Sequence, residues 1–384
     1  MSEPIVDILM PAYNAEATIR QAVDSLRNQT RSDIRIVVVD DGSRDGTGRI
    51  LAELAAEDPR VVVLTQPNGG IVAALTRGMA ACSAPFLARL DADDMAAPDR
   101  LERQLRHMAE QPDCVALSGS GGHMDAQGRP TGGRVRLARV DRADPAWVPA
   151  REPYLPAPFL LIRRAAFDRV GGYRPLVVAE DSDLYWRLSE IGTLRNIDEN
   201  FGNYRVHAAS ISSASIRNGR SLAFWSQIAA LSARRRRAGQ PDLDGIIADA
   251  HRYASAVSLQ DFHRAAAPAL TDHESTWLAL AMGMKLVTLA FYRPYELEAA
   301  DCLFIRDALR AAAAGLPAEN RAEIADHLLG TATRLAIRGR VGDALKLVSP
   351  GRYPALLGRI SFRLALPDSL RNRVKKAAGR AQPA

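Results

Sequence analysis

Phe86-Leu87-Ala88-Arg89-Leu90-Asp91-Ala92-Asp93-Asp94 is an apolar run that ends in three carboxylates within four residues. It reads as a buried strand delivering acidic side chains to its carboxyl end, the edge of an open α/β sheet where ligands bind. Two carboxylates at i and i+2 beyond a strand end can reach one hard divalent cation together. Mg²⁺ or Mn²⁺ takes such oxygen ligands and keeps positions open for water and phosphate. The same residues would also serve as a solvated acidic loop or as the cap of a helix opened by Pro98. Their neighbours in the sequence decide between these.

Around this stretch the chain alternates strand and helix signals. Val6 to Met10, Ile34 to Val39, Val61 to Leu64 and Pro85 to Leu90 read as strands. Helices are expected from Ala15 to about Asn28, capped by Asn14, from the glycine-bearing turn after Val39 to about Ala56, and from Ile71 to Ala81. Such alternation predicts right-handed βαβ crossovers and a mostly parallel sheet. After Pro98 come a helix to about Glu110, a strand from Cys114 to Ser118, a glycine-rich turn region from Gly119 to Gly133, and a proline-rich segment from Asp141 to Pro158 that reads as a mobile loop. Phe159 to Ile162 resumes a strand, Arg164 to Val170 a short helix stopped by Gly171-Gly172, and Glu180 to Ile191 a further helix. From about Ile216 the composition turns to Ala, Leu and Arg with helical periodicity. The expected division is residues 1–216 as an α/β domain and 217–384 as a helical region with a basic tail.

With 384 residues, 47% hydrophobic and 24% charged, the chain has the composition of a soluble globular protein. No apolar run approaches the roughly 18 residues of a membrane span, and no signal-peptide pattern opens the sequence, so the expected location is the cytoplasm. Cys82, Cys114 and Cys302 form no C-x-x-C pair, which argues against a structural zinc site or a disulfide framework. The net charge of +6 suits anionic ligands, nucleic acid or acidic lipid without choosing among them. Much of it lies in Arg234 to Arg237 and between Arg371 and Arg380, read first as solvated helix faces and second as membrane-surface contacts.

Two more strand ends carry chemistry. Pro11-Ala12-Tyr13-Asn14-Ala15-Glu16 puts an aromatic ring and exposed backbone at the sheet edge, where a planar base could pack; a plain turn explains it equally well. Asp40-Asp41-Gly42-Ser43 could hold ribose or base polar groups, or form a turn with an Asp cap. Neither G-x-x-x-x-G-K-[ST] nor a G-x-G-x-x-G opening the first helix is present, which removes most of the case for a P-loop nucleotidase or a dinucleotide dehydrogenase.

In order along the chain, Pro11-Ala12-Tyr13-Asn14, Asp40-Asp41-Gly42-Ser43, Gln66-Pro67-Asn68-Gly69-Gly70, Asp91-Ala92-Asp93-Asp94, Glu180-Asp181-Ser182-Asp183-Leu184-Tyr185-Trp186-Arg187 and Tyr204 to Ser210 resemble the family 2 glycosyltransferases of the GT-A fold. The resemblance covers roughly residues 4 to 213. It implies a metal-dependent, inverting transfer of sugar from a nucleotide-diphosphate donor, most often a uridine one, to a hydroxyl acceptor. It implies further that Pro11, Ala12, Tyr13, Glu16, Asp40, Asp91 and Ala92 surround the nucleotide, and that Asp93, with Asp91 and His207, binds Mn²⁺ or Mg²⁺. Asp181 matches the catalytic carboxylate, with a helix N-terminal charge as the competing explanation. Glu180 and Asp183 are acceptor-contacting or structural, and Trp186 is a sugar platform or core. The processive members' Q-x-x-R-W motif and membrane helices are absent, so addition of one or a few sugars is expected. A glycan or lipid-linked acceptor of bacterial surface assembly, peripheral contact with the inner face of the membrane and no nucleic-acid partner complete the expectation. The competing readings are a noncatalytic nucleotide-sugar binding or scaffold protein and, more distantly, a glycoside hydrolase, which would need no metal cluster.

Overall fold

The computed structural model describes residues 3–206, 215–312 and 315–365, which divide into two compact units. The first runs to Ala143 and resumes at Glu152; the second takes in Asp144–Arg151 and the chain beyond the first unit.

The first unit opens with β1 (Val6–Ala12), α1 (Ile19–Arg27), β2 (Ile34–Asp40), α2 (Thr47–Glu57), β3 (Val61–Thr65), α3 (Ile71–Ala81) and β4 (Phe86–Arg89). It continues through β5 (Met95–Ala96), α4 (Arg100–Glu110), β6 (Cys114–Met124), β7 (Pro130–Arg134), β8 (Leu161–Arg163), α5 (Arg164–Arg169), α6 (Glu180–Ser189) and β9 (Thr193–Arg205). The strands join in the order β3-β2-β1-β4-β8-β6-β9-β5, with β7 on β6. Pairing is parallel from β3 through β4 and mixed beyond. Alternating side chains feed opposite layers: Ile8, Met10, Ile36 and Val38 pack with α1 and α2 residues, whereas Leu9, Val37 and Val39 pack with α3 and α6 residues. Covering both faces explains why these strands are continuous apolar runs. Asp7 interrupts the apolar run of β1. It is buried, paired twice with Arg35 at 2.8 Å, and accepts the Ser83 and Ala84 amides.

Three sequence expectations change. The first helix begins at Ile19 rather than Ala15, because Asn14 adopts φ 50° and its side chain accepts the Arg44 amide at 2.9 Å instead of capping α1. The expected turn region from Gly119 to Gly133 is mostly strand, the end of β6 and the start of β7 around a short turn. There a Cβ on Gly119 would lie 2.5 Å from the Phe201 ring and one on Gly121 would lie 2.3 Å from Phe159, so the glycines make room for aromatic rings. The Asp141–Pro158 segment is no independent loop, since Asp144 and Arg151 form an antiparallel bridge and the residues between them belong to the second unit. Asn320 holds both polar groups of the Val148 backbone, at 3.1 and 2.7 Å, and Gln227 accepts the Ala150 amide at 2.9 Å. The boundary expected at residue 216 therefore misses this excursion.

The second unit comprises α7 (Ile216–Arg237), α8 (Asp244–Ala248), α9 (Leu259–Ala266), α10 (Asp272–Tyr292), α11 (Ala299–Ala312), α12 (Ala318–Ile337), α13 (Val341–Leu347) and α14 (Tyr353–Ala365). Phe224 packs its ring 5.0 Å from those of Trp225, Tyr253 and Phe262. Contrary to the sequence expectation, one helix, α10, is long and apolar enough to cross a membrane; two thirds of its apolar window (67%) is buried among its neighbours, as in a core helix. The arginines ending α7 are paired rather than solvated: Arg235 grips Glu274 at 2.6 Å, Arg236 meets Asp242 at 2.7 Å, and Arg234 stacks on Trp277.

Gly121→Ala should destabilise the first unit by about 1–3 kcal/mol, the usual result of overpacking, read as a lowered urea midpoint at unchanged slope.

Candidate active site

The site follows from the strand order. β1 has β2 on one side and β4 on the other, so the chain diverges at their carboxyl ends and leaves a crevice. Register sets Ala12 beside Asp40 and Asp40 beside Thr65, which brings the loops after β1, β2 and β3 to one edge.

The first two loops are zipped together. Ser43 Oγ accepts the Asn14 amide (2.9 Å), Thr47 Oγ1 accepts that of Ala15 (2.8 Å), and Glu16 Oε2 accepts that of Gly46 (2.9 Å). Asp40 Oδ1 accepts the Ser43 amide at 3.0 Å, while Asp41 collects Gln66 Nε2 and the Gly69 and Gly70 amides. Asp40 and Asp41 thus order the loops while buried themselves. Tyr13, 48% exposed, stands out from this rigid platform.

Beyond β4 the chain makes a tight turn in which the Asp94 amide donates to the Asp91 carbonyl at 3.1 Å. Arg205, at the end of β9 and buried, donates its amide to Asp94 Oδ1 and its Nε to the Asp93 carbonyl, both at 2.7 Å. Thr18 holds the Ala92 carbonyl at 3.0 Å. Burial first, then the charges of Asp93 and Asp91, push Asp94 well above the carboxylate range. Its Oδ2 is buried without a hydrogen-bond partner. Beneath the turn, Arg100 donates to the Arg89 and Leu160 carbonyls, and burial brings its pKa down to about 9 against the pull of Asp94 and Asp91.

Arg89 joins this turn to α6. Its Nε lies 2.9 Å from Asp91 Oδ1 and its Nη1 lies 3.3 Å from Glu180 Oε1. Burial opposes the charge, but Asp91, Tyr173 and Glu180 outweigh it and keep the guanidinium firmly cationic. Helix α6 starts from Ala179 at φ 64°, a left-handed conformation uncommon for a residue with a Cβ and one that clusters at functional sites. Next in line, Asp181 is half-buried, and its Oδ1 accepts the Ser182 amide at 2.7 Å. Burial and then the Glu180 charge push the Asp181 carboxyl up to about 7. Arg89 and the Ser182 amide pull downward, and Glu152 adds to the rise. Glu152 is fixed by the Ser182 hydroxyl at 2.6 Å.

Of the other sequence candidates, Asp183 is fully buried between Arg174 and Arg187, which makes it structural rather than acceptor-contacting. Trp186 is likewise fully buried, so it packs in the core and offers no platform to a sugar. His207 lies outside the described residues. Among the described residues, no group of three or more His, Cys, Asp or Glu side chains converges on a metal position. Arg89, Arg100, Glu152 and Arg205 went unassigned in the sequence. A charged residue inside an apolar strand was the available signal for Arg89, and the Tyr204 to His207 cluster for Arg205.

Fold and edge together define an open α/β protein with an acidic, arginine-braced site at its switch point. Residues 7–171, most of the first unit, match the model of glycosyl transferase family 2. A putative glycosyltransferase EpsH of Bacillus subtilis (strain 168) is 40% identical over 115 residues, 30% of this chain and 33% of the relative. A chondroitin synthase of Escherichia coli is 29% identical over 212 residues, 54% of this chain and 30% of the relative. The chain thus spans about a third of the length of these relatives. Among solved structures, a mannosyltransferase PcManGT from Pyrobaculum calidifontis, in complex with GDP-Man and Mn²⁺, superposes with a TM-score of 0.50 at 19% identity, covering 90% of this chain and 86% of that one. That likeness concerns the fold.

A carboxyl whose pKa is higher folded than unfolded stabilises the fold while protonated and stops doing so as pH rises through its folded value. Asp181→Asn should therefore melt a few degrees above the parent at pH 8, with the gap closing toward pH 4, in thermal scans across that range.

Proposed function

We propose that the first unit transfers a sugar, with inversion, from a nucleoside-diphosphate sugar, most readily a UDP-sugar, to a hydroxyl acceptor. The observation that carries this reading is Arg89, which ties the acidic turn after β4 to the helix bearing Asp181. Charge neutralisation and proton removal would thereby share one edge.

In this reaction Asp181 accepts the proton of the acceptor hydroxyl. The freed oxygen bonds to the anomeric carbon as the bond to the diphosphate breaks on the opposite face, which inverts that carbon. A base must be ionised to accept a proton, and a carboxyl at about 7 is about half ionised at neutrality and basic enough to act. Tyr13 would stack on the base, with Pro11, Ala12, Glu16, Asp40 and Ala92 around the nucleoside.

The acidic turn fits a divalent cation: Asp94 retains an orphaned buried oxygen, and its neighbours' charges crowd it. Asp93 and Asp91 would hold Mn²⁺ or Mg²⁺, which supplies charge stabilisation for the leaving diphosphate, worth several kcal/mol in such sites. Relatives named for chondroitin and hyaluronan synthesis support a glycan as acceptor class. A lipid-linked or polysaccharide intermediate of bacterial surface assembly, met at the cytoplasmic face of the membrane, is the acceptor we favour.

The test is UDP release from a panel of UDP-sugars with Mn²⁺ and a hydroxyl acceptor panel. Asp181→Asn should lower turnover by about 10²–10⁴ while donor affinity holds, and Asp93→Asn should weaken both. In the parent, kcat/KM should fall as pH drops below about 7. Donor binding without turnover under every condition would instead support a noncatalytic binding protein.

A further inference from the structure

Ser182 holds two carboxylates at once. Its amide donates to Asp181 Oδ1 at 2.7 Å and its hydroxyl donates to Glu152 Oε2 at 2.6 Å. Two like charges brought to one residue repel, and an unrestrained glutamate would turn away to water. The segment that carries Glu152 prevents this. Tyr154 sets its ring edge-on to that of Tyr185, with centroids 6.4 Å apart, so the segment meets α6 at Ser182 and again one turn further on. Leu155 is buried in the same apolar layer as Leu184, Tyr185 and Leu188. Asn196 of β9 donates to the Tyr154 carbonyl at 2.9 Å, and Ser118 of β6 donates to the Pro156 carbonyl at 2.7 Å.

The surroundings of Asp181 show what a fixed charge there does. Burial and the Glu180 charge disfavour its ionised form, Arg89 of β4 and the Ser182 amide favour it, and Glu152 adds to the first side. Glu180 is itself paired with Arg89 at 3.3 Å, which offsets part of its charge. Tyr173, in the approach to α6, and Tyr185, one helical turn beyond Asp181, also face it. Burial keeps both phenols neutral, Tyr173 pushed up to about 12 and Tyr185 well above its usual range. A neutral hydrogen-bond partner in place of Glu152 would fix α6 equally well, yet it would leave Asp181 a weaker base.

We propose that Glu152 is a positioning residue for Asp181: clamped to the first turn of α6 through Ser182, it keeps a second negative charge beside the carboxylate that receives the acceptor's proton. The role rests on the transfer reading of Asp181 and extends it to a residue that does not touch the reacting atoms. A base that holds its proton more firmly pulls harder on the acceptor hydroxyl but is ionised only at higher pH. Removing the Glu152 charge therefore acts in opposite senses at the two ends of the pH range. Loss of a merely structural contact would act alike at both.

Two measurements on the full chain test this, the first without turnover. Carbon-13 NMR of labelled aspartate carboxyls, with the Asp181 signal identified by its loss in Asp181→Asn, should show a midpoint near 7 that falls by about one pH unit in Glu152→Gln, as removal of a nearby like charge does. Ser182→Ala, which releases the Glu152 side chain, should move the midpoint in the same direction. In UDP release from the UDP-sugar panel with Mn²⁺ and the hydroxyl acceptor panel, the ratio of Glu152→Gln to parent kcat/KM should be about fivefold higher at pH 6 than at pH 9, the change in ionised fraction that a one-unit fall produces. An Asp181 midpoint unmoved in Glu152→Gln, or in Ser182→Ala should the first variant fail to fold, overturns the proposal. An equal ratio at both pH values overturns it as well. A shifted midpoint in a chain that releases no UDP upholds the coupling of Glu152 to Asp181 and counts against the transfer reading alone.

Discussion

Three carboxylates confined to one four-residue turn repel one another, and the architecture of the first unit is arranged around holding them there. Arg89, Arg100 and Arg205 do the holding, each buried and each from a different element: the end of β4, the start of α4 and the end of β9. Two of them donate to backbone carbonyls of the turn or its approach as well as facing its charge. That division matters, because a guanidinium bonded to carbonyls fixes geometry without cancelling the carboxylates. The turn is held rigidly through its backbone while Asp94 keeps a buried oxygen without a hydrogen-bond partner, a combination that suits capture of a cation better than full internal pairing would.

Helix α6 shows the same logic with the opposite sign. A carboxylate in the first turn of a helix ordinarily gains from the dipole and has its pKa lowered. Asp181 goes the other way, to about 7, because burial and the adjacent Glu180 outweigh the Ser182 amide and Arg89. Ala179 in the left-handed region, next to a carboxyl destabilised when ionised, concentrates local strain where a base would act.

What the sequence made legible was local. The first four strands announce themselves through continuous apolar runs, and the acidic strand end through its composition. Less visible was anything that depends on distant partners. The glycines of β6 resembled a turn because their meaning lies in the Phe159 and Phe201 rings. β9, thirteen residues with few apolar side chains, carries no strand period strong enough to read. Trp186 and Asp183 sit in a segment rich in chemistry, yet burial, which no single sequence displays, assigns them to packing and to an arginine clamp. The Asp144–Arg151 excursion was hidden for the same reason, since its backbone is satisfied by side chains as much as 172 residues away.

Net charge likewise acquires meaning only once it is located. The most conspicuous basic run in the sequence, Arg234 to Arg237, is substantially spent inside the second unit on Glu274, Asp242 and the Trp277 ring. Its position in the last turn of α7 also complements the helix dipole. Of the sparser arginines from Arg352 onward, Arg359 is likewise spent within the unit, on Asp326. Density along the chain would rank the first cluster above the second as an interaction surface. Density alone is a poor guide, because a cation already satisfied within the fold has little left to offer any other anion.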